Sequence, residues 1–413
     1  MPEKISTRRG VVIAGASVYN LNNVSDDSMF EPLCRSLRGA LGPDAEAEPI
    51  WLMCRHPERR RVGDADLRMI PNLDFGTKEL SLGKRFLGFN LGDDTGHLRE
   101  AASATAASRA LIIGGDPFIE ITLDSFRGIL VYAQTLVSLA RFLGTPVVLF
   151  GIHLGRPPTS AFGADLMSFC LDNASLITTR EASVVQRLRE LTTNPSILPG
   201  ADSGFSVDLS LQPSAAGEAF AVGHAAAPYV VATLRSLYWQ WGAPEREHFA
   251  KIFASALDAA FVEKGLRVAL MPHCTYDVDH EWEDDRAMHR LIRSFSARPE
   301  AFSLFEEEAT VGDALRLHRG ARCVVSNRRH AAIFAAQLGV PSVIFGEPGH
   351  IQPIHALLSG EAFLSYDGLS AEGLAAAWGR ALGSGETGQE AAAAERRKSD
   401  RALAELCDYV LAQ

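Results

Sequence analysis

A junction between a predicted strand and a predicted helix, late in the chain, carries the residue types best suited to binding an anion. The apolar run at 323–325 is typical of a buried strand, and a helical pattern follows it with Ser326 or Asn327 as the predicted N-cap. Arg328-Arg329-His330 stands at this junction. Guanidinium groups and the free backbone N–H groups of a helix N-terminus both favour anions, so we expect an anion site here. A helix start with solvated arginines and a core histidine is the other interpretation.

Other glycines and polar side chains also follow predicted strands. In an open α/β sheet the carboxyl ends of the strands form the edge at which ligands bind. Paired glycines there let a ligand approach the backbone, although a tight turn or a structural role would also explain such residues. In chain order these residues are Gly114, Gly115, His153, Arg180, Arg235 and His273.

The segment that follows the predicted strand at 268–271 contains two histidines and two aspartates, His273, Asp277, Asp279 and His280. Such residues can bind metals, but their spacings fit no zinc signature. We therefore predict a polar substrate-binding loop and no metal site.

The first predicted strand starts at Val11, and a polar loop over 17–27 separates it from a helix predicted over 29–41. Strand, loop and helix in this order predict the entry of a doubly wound α/β domain. The loop matches neither G-x-G-x-x-G nor a P-loop, so neither a dinucleotide site nor a Walker-type nucleotide site is predicted. Asp27 is explained as a helix N-cap, whereas Asn23 and Asp26 lie within the loop and are candidate functional residues.

The length of 413 residues suggests two or three domains. Alternating strands and helices predict an N-terminal Rossmann-like domain over 1–211 and a second such domain over 229–383. Residues 212–228, rich in Ala, Gly, Ser and Pro, are predicted to link them. Residues 384–413 are predicted to contain a C-terminal helix that packs back on the N-terminal domain.

The net charge of −10 argues against nucleic-acid binding, because there is no basic excess to neutralise phosphates. The six cysteines form no CxxC pair, which fits a reducing cytoplasm better than a disulfide framework. Residues 1–10 lack the apolar region of a signal peptide, and no apolar run approaches the ~20 residues of a transmembrane helix. We therefore expect a cytoplasmic protein without a transmembrane segment.

Four local patterns, in their order along the chain, resemble motifs of the polysaccharide pyruvyl transferase family. Asn22-Asn23-Val24-Ser25-Asp26-Asp27 is similar to the family's Gly-Asn-x-Gly-Asp-Glu, and Gly114-Gly115-Asp116 to its Gly-Gly-Gly turn. The run from Ile177 to Ser183 is similar to Ile-Thr-x-Arg-Asp-x-x-Ser. The run that begins at Ser326 is similar to a segment that contains Arg-x-His-Ala, with the arginine and histidine intact. The departures are Asn22, Ser25 and Asp116 in place of glycines, and Glu181 in place of an aspartate.

The resemblance implies an α/β fold of two Rossmann-like domains in a GT-B-like arrangement, with the active site in the interdomain cleft. It implies transfer of pyruvate from phosphoenolpyruvate to two hydroxyls of a sugar or related glycan-type acceptor. The product would be a ketal, phosphate would be released, and phosphoenolpyruvate would be a co-substrate without any further cofactor.

The resemblance also implies roles for the candidate residues. His330 would transfer a proton to the donor methylene or from the acceptor hydroxyl, or bind phosphate as an imidazolium, and Asp26 would be a base on the acceptor side. The donor-binding residues would be Arg180, Arg235, Asn327 and Arg328. The residues lining the substrate cleft would be Asn23, Gly114, Gly115, His153 and His273.

Two alternatives stay open. A GT-B-type glycosyltransferase would use a nucleotide sugar, which commonly needs an acidic residue for its ribose and a stacking platform for its base, whereas Arg328 and His330 suit a compact dianion. The other alternative is a repurposed, non-catalytic family member, for which the altered first loop at Asn22 and Ser25 is the reason.

Overall fold

The chain forms two compact units. Unit 1 comprises Met1–Leu21, Met29–Ser206 and Arg396–Gln413, and unit 2 comprises Asn22–Ser28 and Val207–Glu395. The structure is a computed structural model, and it describes residues 8–15, 23–54, 57–58, 66–73, 95–115, 118, 129–154, 157–237, 241–260, 262–275, 281–346, 354, 356–358, 364–366, 369–384 and 388–413.

Each unit is built on a parallel sheet. Over the described residues the strands are β1 (Val11–Ala14), β2 (Ile50–Cys54), β3 (Leu67–Pro71), β4 (Leu111–Ile113), β5 (Val147–Ile152), β6 (Leu176–Thr179), β7 (Ile197–Leu198), β8 (Tyr229–Thr233), β9 (Arg267–Leu270), β10 (Phe302–Leu304), β11 (Val324–Ser326), β12 (Ser342–Gly346) and β13 (Leu364–Ser365). The strand order is β3-β2-β1-β4-β5-β6-β7 in unit 1 and β10-β9-β8-β11-β12-β13 in unit 2. In each sheet the next two strands of the chain lie on one side of the first strand, β1 or β8, and the later strands lie on its other side, as in doubly wound α/β folds.

Helices connect these strands. Within the described ranges they are α1 (Val24–Leu41), α2 (Gly96–Ala107), α3 (Ile129–Phe142), α4 (Ala161–Asn173), α5 (Ala182–Leu191), α6 (Ala215–His224), α7 (Ala243–Ala260), α8 (Asp285–Phe295), α9 (Val311–Arg319), α10 (Arg329–Gln337), α11 (Ala371–Ser384) and α12 (Gln389–Leu411). Short 3-10 turns occur at Ser203–Ser206, Val262–Lys264, Glu281–Glu283 and Pro299–Ala301.

Both faces of the unit 1 sheet are buried, which explains why its strands are continuous apolar runs. Successive residues of β1 point to opposite faces, so Val12 contributes to one core and Ile13 to the other. The first core includes apolar residues of α2, α3, α4 and α5. The second includes Leu33 of α1 together with Leu403 and Leu406 of α12.

The unit 2 sheet is covered in the same way. Val230 and Ala232 of β8 pack in a core with Phe253 of α7, Met288 of α8 and Trp378 of α11. All of these side chains are at most 1% exposed. Burying a large apolar side chain contributes ~1.5–3 kcal/mol, so this core is a main source of the stability of unit 2.

Residues 212–228, expected as an interdomain linker, instead contain α6, which belongs to unit 2. Ser214 caps the helix by accepting a hydrogen bond from the Gly217 N–H at 3.0 Å. A Cβ atom on Gly217 would lie 1.9 Å from Oδ1 of Asp313, so the small residues that suggested a flexible linker permit close helix packing. The ion pair between Arg316 of α9 and Glu218 of α6, at 2.7 Å, also joins the two helices.

Helix α1 begins earlier than predicted. The sequence placed Ser25, Asp26 and Asp27 in a loop, but the helix starts at Val24. The side chain of Asn23 is the cap, because its Oδ1 accepts a hydrogen bond from the Ser25 N–H at 3.1 Å. The two aspartates then lie in the first turn, where negative charge is favourable for the helix dipole.

Two strands are not anticipated by the sequence. β3 pairs with β2 over its whole length, although its residues alternate irregularly between buried and half-buried. β13 contains two residues that pair with Phe345 and Gly346 of β12. The predicted turn residue Asp116 and residues 276–280 of the predicted polar loop lie outside the described residues. No helix in the described part of the chain is long and apolar enough to cross a membrane.

Candidate functional site

The carboxyl ends of β9, β8 and β11 are neighbours in the unit 2 sheet. His273 follows β9, Arg235 follows β8, and Asn327 and Arg328 follow β11. Because the strands are parallel, these sequence-predicted residues come to one edge of the sheet. This edge is the candidate site in unit 2.

Asn327 joins the ends of β8 and β11 through its side chain. Its Oδ1 accepts a hydrogen bond from the backbone N–H of Arg235 at 2.9 Å. Its Nδ2 donates to the Arg235 carbonyl at 3.0 Å and to the Tyr366 hydroxyl at 2.8 Å. Both amide hydrogens are therefore used, and the residue is fully buried. This geometry suits holding the Arg235 backbone better than the predicted donor contact.

Arg328 occupies the N-cap position of α10, where Ser326 or Asn327 was expected. Its backbone N–H donates to Ser326 Oγ at 2.8 Å, and Ser326 Oγ lies 2.9 Å from the Thr233 carbonyl. The guanidinium Nη2 forms an ion pair with Oδ1 of Asp285. The Arg328 side chain is 10% exposed and that of Asp285 is 1% exposed, so a buried carboxylate orients a nearly buried guanidinium.

Arg329 and His330 form the start of α10 itself. They are 5% and 4% exposed, so neither is a solvated surface residue. The first backbone N–H groups of a helix lack intrahelical partners and carry a partial positive charge. This helix start therefore adds positive potential beside Arg328, within a protein whose net charge is −10.

Asn23 and Asp26 also belong to unit 2, although the sequence placed them in the N-terminal domain. The Val24 N–H donates to the His273 carbonyl at 2.7 Å, and Asn23 pairs with Cys274 as an isolated antiparallel bridge. Nδ2 of Asn23 in turn donates to the carboxylate of Asp26. The start of α1 is thus attached to the segment that carries His273.

His273 is fully buried, and neither of its ring nitrogens has a hydrogen-bond partner among the described residues. Burial lowers its pKa well below the ordinary value, and the nearby charges of His318, Arg328, His330 and His289 act in the same direction. The ring lies 6.0 Å from the ring of His318 and 5.8 Å from that of Phe334, between centroids. Burial and the nearby Arg328 therefore both favour the neutral form of the His273 imidazole.

Two further buried histidines share this character. Burial lowers the pKa of His289 to about 4 and that of His318 to about 4. His289 Nε2 accepts a hydrogen bond from the Leu234 N–H at 3.3 Å, and His318 Nδ1 lies 2.6 Å from the Ala314 carbonyl. Both imidazoles are consequently neutral at neutral pH.

These histidines predict a loss of stability on acidification. In the unfolded chain each imidazole binds a proton near pH ~6.5, whereas in the folded protein it does so only near 4. Below ~6.5 the unfolded state therefore binds more protons, and the free energy of unfolding falls as the pH falls. The expected slope is ~1.4 kcal/mol per pH unit for each histidine. Urea denaturation between about pH 5 and 6.5 measures it.

A matched pair of variants separates this effect from that of the carboxylates. His318→Gln should reduce the slope of unfolding free energy against pH by ~1.4 kcal/mol per pH unit, the contribution of one proton. His248→Gln, at an exposed position, should leave this slope unchanged. Equal slopes for the wild type and the His318→Gln variant would show that His318 titrates normally in the folded protein.

The remaining predicted residues lie in unit 1, at the carboxyl ends of the neighbouring strands β4, β5 and β6. Gly115 has φ +68°, which favours glycine, and the Gly114 N–H donates to the Ala14 carbonyl at 2.9 Å. His153 Nδ1 lies 3.7 Å from Oε1 of Glu181. Arg180 is 5% exposed, and its backbone N–H donates to the Ile152 carbonyl at 3.1 Å.

The structure thus divides the predicted site residues into two groups. Unit 1 holds the group at the ends of β4, β5 and β6, and unit 2 holds the larger one. The members of the unit 2 group are Asn23, Asp26, Arg235, His273, Asn327, Arg328 and His330.

Over the described residues, no group of three or more His, Cys, Asp and Glu could hold a metal ion.

Two residues of the unit 2 site were missed. Asp285 is fully buried beside Arg328, and the Tyr366 hydroxyl accepts a hydrogen bond from Nδ2 of Asn327. In the sequence, Asp284-Asp285 looks like a pair of helix-capping residues, and Asp284 does accept the Arg286 N–H at 2.9 Å. No signal in the sequence marks Asp285 for a further role, because an acidic residue in the first turn of a helix is already favourable for the helix dipole.

Comparisons with known proteins agree with this architecture. The family model described as polysaccharide pyruvyl transferase matches residues 29–348. No curated protein matches the sequence at a significant level.

Solved structures with a similar fold cover almost the whole chain. The UDP-GlcNAc 2-epimerase of Neisseria meningitidis, bound to UDP-GlcNAc, has a TM-score of 0.59 at 10% identity, covering 97% of this chain and 100% of that chain. HepE of Anabaena, in complex with UDP and glucose, has a TM-score of 0.56 at 12% identity, covering 98% and 100%. The UDP-GlcNAc 2-epimerase of Methanocaldococcus jannaschii has a TM-score of 0.56 at 12% identity, covering 92% and 98%. The predicted fold class, two Rossmann-like α/β domains of the GT-B type, is confirmed.

Proposed function

The chain belongs to the polysaccharide pyruvyl transferase family, and on that premise we propose that it moves pyruvate from phosphoenolpyruvate onto two hydroxyls of a sugar acceptor. The family resemblance predicted from the four motifs is thereby confirmed, and with it the general class of transferase. The donor, the ketal product and the roles of individual residues are the proposal.

The proposed reaction balances without a cofactor. The donor methylene gains a proton and becomes a methyl group, so that the adjacent carbon becomes electrophilic. One acceptor hydroxyl adds to this carbon, and the second displaces phosphate by cleavage of the carbon–oxygen bond. Of the two protons lost by the hydroxyls, one balances the methyl group and the other leaves with phosphate.

The observation that carries the proposal is the junction of β11 and α10. A guanidinium oriented by a buried carboxylate stands at the N-cap of a helix, with Arg329 and His330 in the first turn. Phosphoenolpyruvate carries a phosphate and a carboxylate, so a compact cluster of positive groups suits it. Arg180 and Arg235 stay predictions as further donor contacts.

Two residues are proposed for the proton transfers. His330 is buried two positions after Arg328, and an imidazole suits proton transfer near neutral pH. Asp26 is half-buried in the same unit and is proposed as the base for the acceptor hydroxyl. The protonation of the methylene is assigned to His330 and tested below.

Donor binding is the first test. Phosphoenolpyruvate at about 100 times its dissociation constant should stabilise the fold by ~2.7 kcal/mol and raise the midpoint of thermal unfolding. A panel of nucleotide sugars serves as the comparison. A shift with a nucleotide sugar and none with phosphoenolpyruvate would contradict the proposal and favour glycosyl transfer.

Turnover is the second part of the test. Incubation with phosphoenolpyruvate and a panel of sugars in deuterium oxide should release phosphate and give a ketal whose methyl group contains one deuterium. Mass spectrometry and proton NMR measure this incorporation. Phosphate release with free pyruvate and no ketal would instead indicate hydrolysis.

A further inference from the structure

Asp285 uses both of its carboxylate oxygens, and they serve different parts of the candidate site. Oδ2 accepts hydrogen bonds from the backbone N–H groups of His273 at 2.9 Å and Cys274 at 3.0 Å. Oδ1 accepts from the guanidinium of Arg328. The residue is fully buried at the first position of α8, where Asp284 is the N-cap. The helix dipole and Arg328 both offset the cost of burying this carboxylate.

The two residues held by Oδ2 also hold the start of α1. The His273 carbonyl accepts from the Val24 N–H at 2.7 Å, and Cys274 forms the isolated bridge with Asn23. Asn23 then donates to the carboxylate of Asp26. A continuous series of hydrogen bonds therefore runs from Asp26 through the 273–274 backbone to Asp285, and from Asp285 to Arg328.

We propose that Asp285 is a positioning residue that fixes Arg328 and Asp26 relative to each other through the 273–274 backbone. The proposal rests on the proposed function, in which Arg328 binds the donor and Asp26 serves the acceptor. In this role Asp285 acts through Arg328 and the 273–274 backbone, without contact to either substrate. A transfer reaction needs the donor carbon and the attacking hydroxyl to be held at a fixed distance and orientation. The Asp285 carboxylate lies between Arg328 and the backbone that holds Asp26, so it can fix both.

A carboxylate is required because the groups bonded to its two oxygens, the Arg328 guanidinium and the backbone N–H groups of 273–274, are all hydrogen-bond donors. Asparagine has the same size but only one accepting oxygen, and its NH2 group can only donate. In the Asp285→Asn variant, the amide oxygen can face either Arg328 or the backbone N–H groups of 273–274, but not both. This substitution therefore breaks the connection with little change in volume.

Asp258 offers a matched control in the same unit. Its two carboxylate oxygens accept from Ser296 Oγ at 2.7 Å and from the Ala297 N–H at 2.8 Å. Asp258→Asn therefore removes a carboxylate that also accepts through both oxygens, at a half-buried position with no hydrogen bond to Arg328 or Asp26. It serves as the control for the loss of a structural carboxylate outside the candidate site.

The kinetic test uses the full chain with phosphoenolpyruvate and an accepted sugar. Asp285→Asn is expected to raise the KM for phosphoenolpyruvate and the KM for the acceptor, each by about tenfold. Asp258→Asn is expected to change neither. A rise in the donor KM alone would overturn the proposal, since Asp285 would then be only a counter-ion for Arg328.

A second measurement tests the connection without any activity. Hydrogen–deuterium exchange should accelerate in the Asp285→Asn variant for peptides covering 23–28, although the hydrogen bonds of Asp285 are to His273, Cys274 and Arg328 and not to these residues. Asp258→Asn should leave these peptides unchanged. Unchanged exchange in Asp285→Asn would overturn the proposal even if phosphoenolpyruvate is the donor. Accelerated exchange in Asp285→Asn, together with a wild-type protein that transfers no pyruvate, would contradict the proposed function and leave the positioning role intact.

Discussion

Alanine in place of Arg328 is expected to lower kcat/KM for phosphoenolpyruvate by about 100-fold or more. Removing one partner of a desolvated, charge-assisted contact costs ~2–5 kcal/mol, and the donor would lose such a contact. The Arg328 side chain is only 10% exposed, so water cannot replace it fully. Steady-state kinetics with varied phosphoenolpyruvate, together with calorimetric titration of the donor, measure the effect.

Two controls separate the loss of the anion contact from damage to the fold. Arg328→Lys keeps the positive charge but loses the planar guanidinium, so its kcat/KM for phosphoenolpyruvate should lie between those of the wild type and Arg328→Ala. Arg322→Ala removes an exposed arginine just before the opposite end of β11 and should leave donor affinity unchanged. Wild-type affinity for phosphoenolpyruvate in Arg328→Ala would show that the donor site lies elsewhere.

Glutamine in place of His330 is expected to reduce kcat by about 100-fold while changing the dissociation constant of phosphoenolpyruvate by less than ~3-fold. General acid–base catalysis by a positioned group typically contributes 10²–10⁴-fold, whereas glutamine can still donate a hydrogen bond to the bound anion. Kinetics with saturating acceptor and direct titration of the donor give the two quantities separately.

The pH dependence adds a second readout for His330. If His330 transfers the proton, the His330→Gln variant should lack one limb of the pH profile of kcat. His248→Gln, at an exposed position in α7, should retain the profile of the wild type. Equal losses of kcat and donor affinity would instead make His330 an anion contact.

The strands were the most predictable part of the fold, because parallel strands that are buried on both faces consist of continuous runs of apolar residues. Ile50–Cys54 shows this, since all but one of its residues are buried. β3 escaped prediction because its residues alternate irregularly between buried and half-buried, which matches neither a buried strand nor a regular amphipathic one. The helix α6 escaped because alanine and glycine suit both a linker and a closely packed helix.

The part of the site that lies within one short stretch of sequence was predictable. The Arg328–His330 junction could be found because strand, cationic residues and helix are consecutive in the sequence. Asp285 could not be found in that way, because a capping aspartate and a buried bridging aspartate look the same at a helix start. The assignment of Asn23 and Asp26 to unit 2 depends on pairing with His273 and Cys274, a contact between distant parts of the chain.

The discontinuity of both units has a consequence for biosynthesis. Asn22–Ser28 leaves the ribosome long before Val207–Glu395, the rest of the unit to which it belongs. Unit 1 in turn needs Arg396–Gln413, whose Leu403 and Leu406 complete one of its cores. Neither unit can reach its full set of contacts until almost the whole chain has been translated, so neither can complete its folding earlier in synthesis. A nascent chain stalled before residue 396 would expose the apolar surface that α12 covers, and we expect chaperones to bind that surface.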